Sequence, residues 1–578
     1  MAARDRYRQD DDLTHVPVEQ GTVRRSVRRS MAITLLALLA LIVAVGLTPG
    51  SSERLVIEGI VVDENGAVSG ASVRIQATEN VVLSDEQGRF IVPAVSKDEV
   101  TVTAWVPDYY VGWTTAIPGG EPITIEIKRH YTTDNPEYTW FSMEGADGSA
   151  SCGQCMPIHY EEWVTDAHAQ SAVNPRFLTM YNGTDMEGNQ SPLTRYAYSR
   201  DYGSFPLPPD PEEPYYGPGY KLDFPNTDGN CGACHIPAAA AFPGMAYAVD
   251  PNDLCGIEQE GIFCEFCHKI GDVVLDPQTE LPYVNMPGIL SMQLFRSEGE
   301  DVLFFGTFDD VTRRVTRLPL EEESAFCAAC HFGVFWDTVI YDSYGEWLRS
   351  PYSEEETGQT CQDCHMPVTE DTWFALPEKG GHIREPGRIF SHQMPGASDV
   401  QLLQEAVTMN VATSVEEGTL RIDVAIVNDK TGHHVPTDSP LRHLILWVQA
   451  TDEQGNALQL VDGPVLPAWC GAGDPSHGYY AGLPGKAYAK VLEEMWTEIS
   501  PSGAYWNPTR IVSDNRIAAF ETDRSEYRFA LPDEGGVDLR VELLFRRAFK
   551  ELMEQKEWNV PDILMEEAEV TLDLGAGN

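Results

Sequence analysis

Four copies of one five-residue pattern constrain this chain more than any other feature: Cys231-Gly-Ala-Cys234-His235, Cys264-Glu-Phe-Cys267-His268, Cys327-Ala-Ala-Cys330-His331 and Cys361-Gln-Asp-Cys364-His365. Cys-x-x-Cys-His is the attachment signature of c-type haem. Thiols at i and i+3 reach the two vinyl groups of one porphyrin, and the adjacent histidine is then held beneath the ring as an axial imidazole for iron. Ten of the twelve cysteines fall in Cys-x-x-Cys pairs, and four of the five pairs carry histidine at the next position. Zinc ribbons and dithiol redox motifs do not require that histidine. The pattern therefore predicts four haems c, with His235, His268, His331 and His365 as proximal ligands.

The fifth pair, Cys152-Gly-Gln-Cys155, is followed by Met156 where the others have histidine. It reads as a disulfide or free dithiol, because the axial imidazole is missing; as a fifth haem with Met156 or another proximal ligand; or as a redox or metal-binding dithiol. Next come His159, Tyr160, Trp163, His168 and Ala169. Cys-x-x-Cys followed by Tyr160-x-x-Trp163 and His168-Ala169 resembles the opening of the cytochrome superfamily that contains the nitrifier tetrahaem cytochrome, hydroxylamine oxidoreductase and ammonia-forming nitrite reductase. The resemblance runs from about Cys152 to His392, and more loosely beyond. It implies a haem at this first motif, where the chain departs from the family. Ammonia-forming nitrite reductases have lysine there for their catalytic haem, so a changed fifth residue bears on catalysis.

Each iron can take a second imidazole. Besides the motif histidines, the haem region and the chain beyond it hold His159, His168, His382, His392, His433, His434, His443 and His477. The resemblance points to three distal ligands. His168 matches the family's His-Ala, Ser391-His392-Gln-Met-Pro-Gly396 its His-x-x-x-Gly, and Thr431-Gly-His433-His434-Val-Pro-Thr437 its Gly-His-x-x-Pro-Thr turn. The fourth is drawn from His434, His382 and His443. Six-coordinate iron carries electrons and leaves no position for a substrate.

The rest of the chain frames this region. With 578 residues, roughly two to four domains are expected. Residues 1–30 form a polar leader expected in the cytoplasm, with Arg24, Arg25, Arg28 and Arg29 near its end. Residues 31–48 contain an uncharged apolar run, short for a span, which reads as a membrane anchor or a cleaved export signal. Either places the remainder outside the cytoplasm: held at the cell membrane, periplasmic or at the cell surface, if anchored, and secreted if the apolar segment is cleaved. That compartment suits haem attachment and permits a disulfide between the leftover Cys255 and Cys470. Residues 54–130 alternate in short strands broken by turns such as Asn65-Gly66. The order Gly59-x-Val61-x-Asp63-x-x-Gly66, Gly70-Ala71-x-Val73, Ser84-Asp85-x-x-Gly88-x-Phe90 resembles the carboxypeptidase regulatory-like family, a non-catalytic β-sandwich. Residues 140–400 are the multihaem domain and 401–578 a β-rich C-terminal domain. The expected fold is thus multidomain: a loop-rich, mainly helical multihaem core between two antiparallel β-sandwiches, preceded by one membrane-anchor helix.

Composition narrows the partners. A net charge of −49 argues against nucleic acid and favours redox partner proteins with basic docking surfaces, or cations. The expected function is electron transfer along closely spaced haems. The alternative is a multihaem oxidoreductase acting on small nitrogen or sulfur compounds at one open haem.

Overall fold

Two β-sandwiches bracket a region of loops and single helical turns in the computed structural model, which describes residues 55–241, 248–298, 302–312, 314–354, 358–532 and 535–573. The leader and the apolar run within residues 31–48 lie outside the described residues. Among the described residues, no helix is long and apolar enough to cross a membrane. The chain divides after Leu55, and Val56–Asn578 is one compact unit.

In the N-terminal sandwich one sheet orders Gly66–Ala67, Val56–Asp63 and Arg89–Pro93, with Ile123–Glu126 also paired to Val56–Asp63. The other sheet orders Val82–Leu83, Ser72–Ile75, Val100–Trp105 and Gly112–Ala116. Alternation assigns the faces: Phe90 and Val92 point inward while Arg89 and Ile91 are exposed. Val61, Val73, Phe90, Val102 and Ile125 share the core. Gly66 sits at φ 126° in the tight turn, a conformation that suits glycine. One expectation fails here. Ile123–Glu126 runs parallel to Val56–Asp63, because the chain crosses over from Gly112–Ala116 in the opposite sheet, so the sandwich is mixed and not wholly antiparallel.

The core between the sandwiches is not mainly helical. Pro157–Val164 and Pro175–Asn182, of eight residues each, are the longest α-helices among the described residues, and strand outweighs helix over the described chain. The sequence supplies the reason: 39 prolines and 48 glycines interrupt any longer run, and helices this short do not hold without tertiary support. Small two-stranded ladders fill the gaps, such as Ile270–Val273 with Met292–Leu294 and Gly333–Phe335 with Thr338–Tyr341. Trp163, Ala233, Ile236, Phe263, Phe266 and Ile270 pack into the core of this region.

The C-terminal sandwich stacks a four-stranded sheet (Thr408–Glu416, Thr419–Val427, Thr522–Ala530, Leu460–Asp462) on a five-stranded one (Thr509–Asp514, Gly485–Glu494, His443–Asp452, Gly536–Arg546, Ile563–Asp573). Ile422, Val424 and Ile426 meet Leu444, Leu446, Leu539, Val541 and Leu543 between the sheets.

Buried ion pairs tie both sandwiches to the middle. Arg384 clamps Asp310 at 2.7 Å, and Asp310 also accepts the Ala77 N–H of the N-terminal sandwich at 2.7 Å. Glu346, from the helix Ser343–Leu348, pairs with Arg516 of the C-terminal part at 2.7 Å.

Candidate haem-ligand site

Each Cys-x-x-Cys-His motif lies on or beside a single helical turn. These turns are Gly232–His235, Cys264–Cys267, Ala325–Ala328 and Cys361–His365. A turn brings residues i and i+3 to one side, which is what two thioether bonds to one porphyrin demand. The last turn is capped reciprocally: Thr360 Oγ1 accepts from the Asp363 N–H, and the Asp363 carboxylate accepts from the Thr360 N–H.

Three motif histidines each face a histidine from a remote segment. His331 and His168 have ring centroids 6.2 Å apart, His268 and His392 6.3 Å, and His365 and His433 6.4 Å. Two imidazoles bound through nitrogen to one metal, at about 2 Å each, have centroids about 6.3 Å apart. The spacing is too wide for ring stacking and fits one iron between each pair.

The second nitrogens agree. His235 Nδ1 lies 3.2 Å from the Ser171 carbonyl, His268 Nδ1 2.9 Å from that of Phe305, and His365 Nδ1 2.8 Å from that of Pro395. On the facing histidines, His392 and His433 turn Nδ1 to the carbonyls of Phe390 and His434 at 3.2 and 2.9 Å. His168 Nδ1 meets the Asp166 carboxylate at 2.7 Å, and His331 Nδ1 stands 3.9 Å from that of Asp438. At every one of these but His331, whose Nδ1 lies beyond hydrogen-bond distance, an acceptor at Nδ1 holds the proton there and leaves the Nε2 lone pair for a metal. The residues present therefore fit axial ligation.

The other histidines are placed differently. His434 Nδ1 stands 3.5 Å from Glu346, and no motif ring meets it among the described residues. His443 is fully buried, stacked on Phe549 and against Trp469 in the C-terminal part; burial pushes its imidazole down to about 3. His382 and His477 are exposed. His159 stacks on His392 at 4.3 Å, and with Glu162 they bring three ligand atoms within 4.8 Å of one another. Glu162 also accepts the His392 backbone N–H at 2.7 Å, so this trio orients His392.

The motif sulfurs are neighbours: Cys330 lies near Cys234, Cys327 near Cys361, and Cys267 near both Cys327 and Cys330. The third motif thus adjoins all the other three. In the degenerate pair, the Cys152 thiol lies beside that of Cys264, and Met156 holds the N-cap position of the helix Pro157–Val164 with its N–H donating to the Cys152 carbonyl at 2.9 Å. Cys155 contributes its carbonyl to Leu376 at 2.8 Å. Cys255 is exposed, Cys470 is buried, and all twelve thiols are free.

Sequence reasoning missed the groups that aim the ligands. Glu346 accepts from the His434 N–H at 3.1 Å, from Thr437 and from Arg516, and so pins the turn carrying His433. The carbonyls of Ser171, Phe305 and Pro395 carry no sequence signal at all.

No family model matches the chain, and no curated protein matches it. Among solved structures, a penta-haem cytochrome c552 from Thermochromatium tepidum is similar over 74% of this chain and 98% of that one, with TM-score 0.50 and 18% identity. The chain thus shares the fold of a multihaem c-type cytochrome. A PapD-like domain of human CEP192 overlaps 30% of this chain and 89% of its own at TM-score 0.13 and 8% identity, a likeness too slight for any argument.

Proposed function

We propose that this chain is an exported tetrahaem c-type cytochrome that carries single electrons through closely spaced haems. The observation that carries the reading is the set of three histidine pairs at 6.2 to 6.4 Å, each joining a motif histidine to a remote one. Cys231, Cys234, Cys264, Cys267, Cys327, Cys330, Cys361 and Cys364 would hold the porphyrins. Haem c supplies reversible one-electron chemistry when bound.

The chain's own residues do the rest. His168, His392 and His433 would serve as second imidazole ligands for the irons that His331, His268 and His365 would also hold, and iron held by two imidazoles would supply electron transfer rather than substrate binding. The motifs lie near one another around the Cys327 and Cys330 pair, which would bring the haem edges close. Cys152 and Cys155 stay a sulfur pair beside Cys264 without haem of their own. The net charge of −49 steers basic redox proteins toward the surface. Haem attachment outside the cytoplasm places residues 55–578 there, periplasmic or at the cell surface, with the apolar run within residues 31–48 directing export.

The test is a stopped-flow measurement with the reduced, purified chain. It should reduce a basic electron-acceptor protein at a rate that falls steeply with salt, without steady-state turnover of nitrite, hydroxylamine or sulfite. Turnover of any of these would replace the carrier reading with that of an oxidoreductase.

A further inference from the structure

One surface groove adjoins two of the attachment motifs. It is lined by residues 282–287, by Phe332 and the strand Gly333–Phe335, and by Asn230. Asn230 immediately precedes Cys231, and Phe332 immediately follows His331. Residues 282–287 run into Gly288, which is fastened to both motifs. Its N–H donates to the Ala329 carbonyl at 2.7 Å. At its φ of 58° a Cβ would meet the Ala233 carbonyl oxygen at 2.1 Å and Cys234 Sγ at 2.9 Å, so only glycine lets the segment lie this close.

The surface around the groove is apolar. Tyr283 and Val284 are exposed, and Trp336, next to Phe335, is 63% exposed. Trp336 and Asp337 form the two-residue turn between Gly333–Phe335 and Thr338–Tyr341, at φ 49° and 66°. Such turns favour asparagine and glycine, so a bulky indole is held here against the preference of its backbone. Its Nε1–H donates to the Trp506 carbonyl at 2.9 Å, which fixes the ring. Large apolar side chains exposed together mark interaction surfaces, and a tryptophan already held rigid loses little freedom when a partner covers it.

The groove is also of one charge sign. Residues 222–268, 270–295 and 318–348, which include every segment lining it, contain no lysine or arginine, while Glu280 and Asp337 on those segments are exposed. Arg510, next to the Thr509 carbonyl that accepts from Thr338 Oγ1, is itself paired with Glu493. A second copy of this chain would present the same acidic face and be repelled, whereas a basic surface is attracted.

We propose that this groove is the docking face for a small basic electron-transfer protein, with Trp336 and Tyr283 as apolar anchors and Glu280 and Asp337 as charged rim. A partner seated here lies beside the motifs at Cys231 and Cys327, where an electron has the least distance to cross. The proposal rests on the electron-carrier reading and adds to it the place where the partner sits.

The test is isothermal titration of the haem-loaded chain with a small basic cytochrome c, both oxidised, at low salt. Trp336→Gly removes the indole and suits the turn, and Tyr283→Ser removes the second anchor. Each should weaken binding about tenfold, whereas Trp113→Ser, at an exposed position of the N-terminal sandwich, should not. Glu280→Gln with Asp337→Asn should flatten the salt dependence. The reduced variants should still pass electrons to hexaammineruthenium(III), a small acceptor that needs no docking face, at the native rate. A native haem count and thermal midpoint show that each variant has folded. Native affinity in both anchor variants overturns the proposal, as does an equal slowing toward hexaammineruthenium(III), which would place these residues on the electron path. So does loss of a dimer in the variants, which would make the occupant a second copy. A native chain that reduces neither acceptor would instead overturn the carrier reading.

Discussion

Replacing Glu346 by glutamine tests how the turn carrying His433 is held against His365. Glu346 has no exposed side-chain surface, and its partner Arg516 is 5% exposed. Breaking such a pair by removing one charge costs about 3 to 5 kcal/mol. Arg516 keeps Asp514 at 2.8 Å, and a glutamine oxygen can still accept from Thr437 and the His434 N–H, so the lower end, about 3 kcal/mol, is expected. If that falls on docking of the turn, the displaced fraction rises roughly a hundredfold. Urea denaturation should then show a lower midpoint, and the ferric spectrum a high-spin fraction that binds carbon monoxide on reduction. Acid should mimic the variant. Burial alone would raise the Glu346 carboxyl, but Arg516, His434 and Thr437 outweigh it and hold it below its usual 4.5. The stabilisation is therefore complete above about 4.5 and is lost as pH falls through the lower folded value. In Glu346→Gln that acid-dependent loss should be absent. An unchanged midpoint together with an unchanged low-spin spectrum would refute the reasoning.

Adjacent histidines should behave oppositely: His433→Ala should convert one haem to a ligand-binding form, and His434→Ala should leave the number of ligand-binding haems unchanged, both read by carbon monoxide titration. Asp310→Asn should cost about 3 kcal/mol or more, because the buried Arg384 loses its counter-charge and one of the two acceptor oxygens, and limited proteolysis should then release the N-terminal sandwich first. Lys556 is fully buried, its Nζ donating to the carbonyls of Thr179 and Thr184 at 3.2 and 3.0 Å, and burial lowers its ammonium from 10.5 to about 7. The unfolded chain then binds the extra proton between those values, so stability rises with pH there, by up to about 1.4 kcal/mol per unit. Lys556→Met should flatten that slope between pH 7 and 9 in urea titrations; equal slopes would count against it.

Much of this was legible because the chemistry is local. Cys-x-x-Cys-His occupies one helical turn, so spacing alone announces it, and alternation reveals strands such as Arg89–Pro93 and Thr419–Val427. The helix content was not legible in the same way. Motif helices of four or five residues depend on what surrounds them, and between them the chain prefers two-stranded ladders to longer helices. Parallel pairing of Ile123–Glu126 depends on a crossover that no residue pattern marks. Glu346 and Arg516 come from segments far apart in the chain, and carboxylates and guanidinium groups are common enough in it that neither stands out before the fold places them.

The most direct measurement is haem per chain by pyridine haemochrome and intact mass, with low-temperature electron paramagnetic resonance on the same sample before and after replacement of His168, His392 and His433. Four haems, with one bis-imidazole signal lost on each replacement, is the predicted result. Fewer than four haems, or three replacements that leave every low-spin signal in place, would contradict the assignment of the histidine pairs to iron.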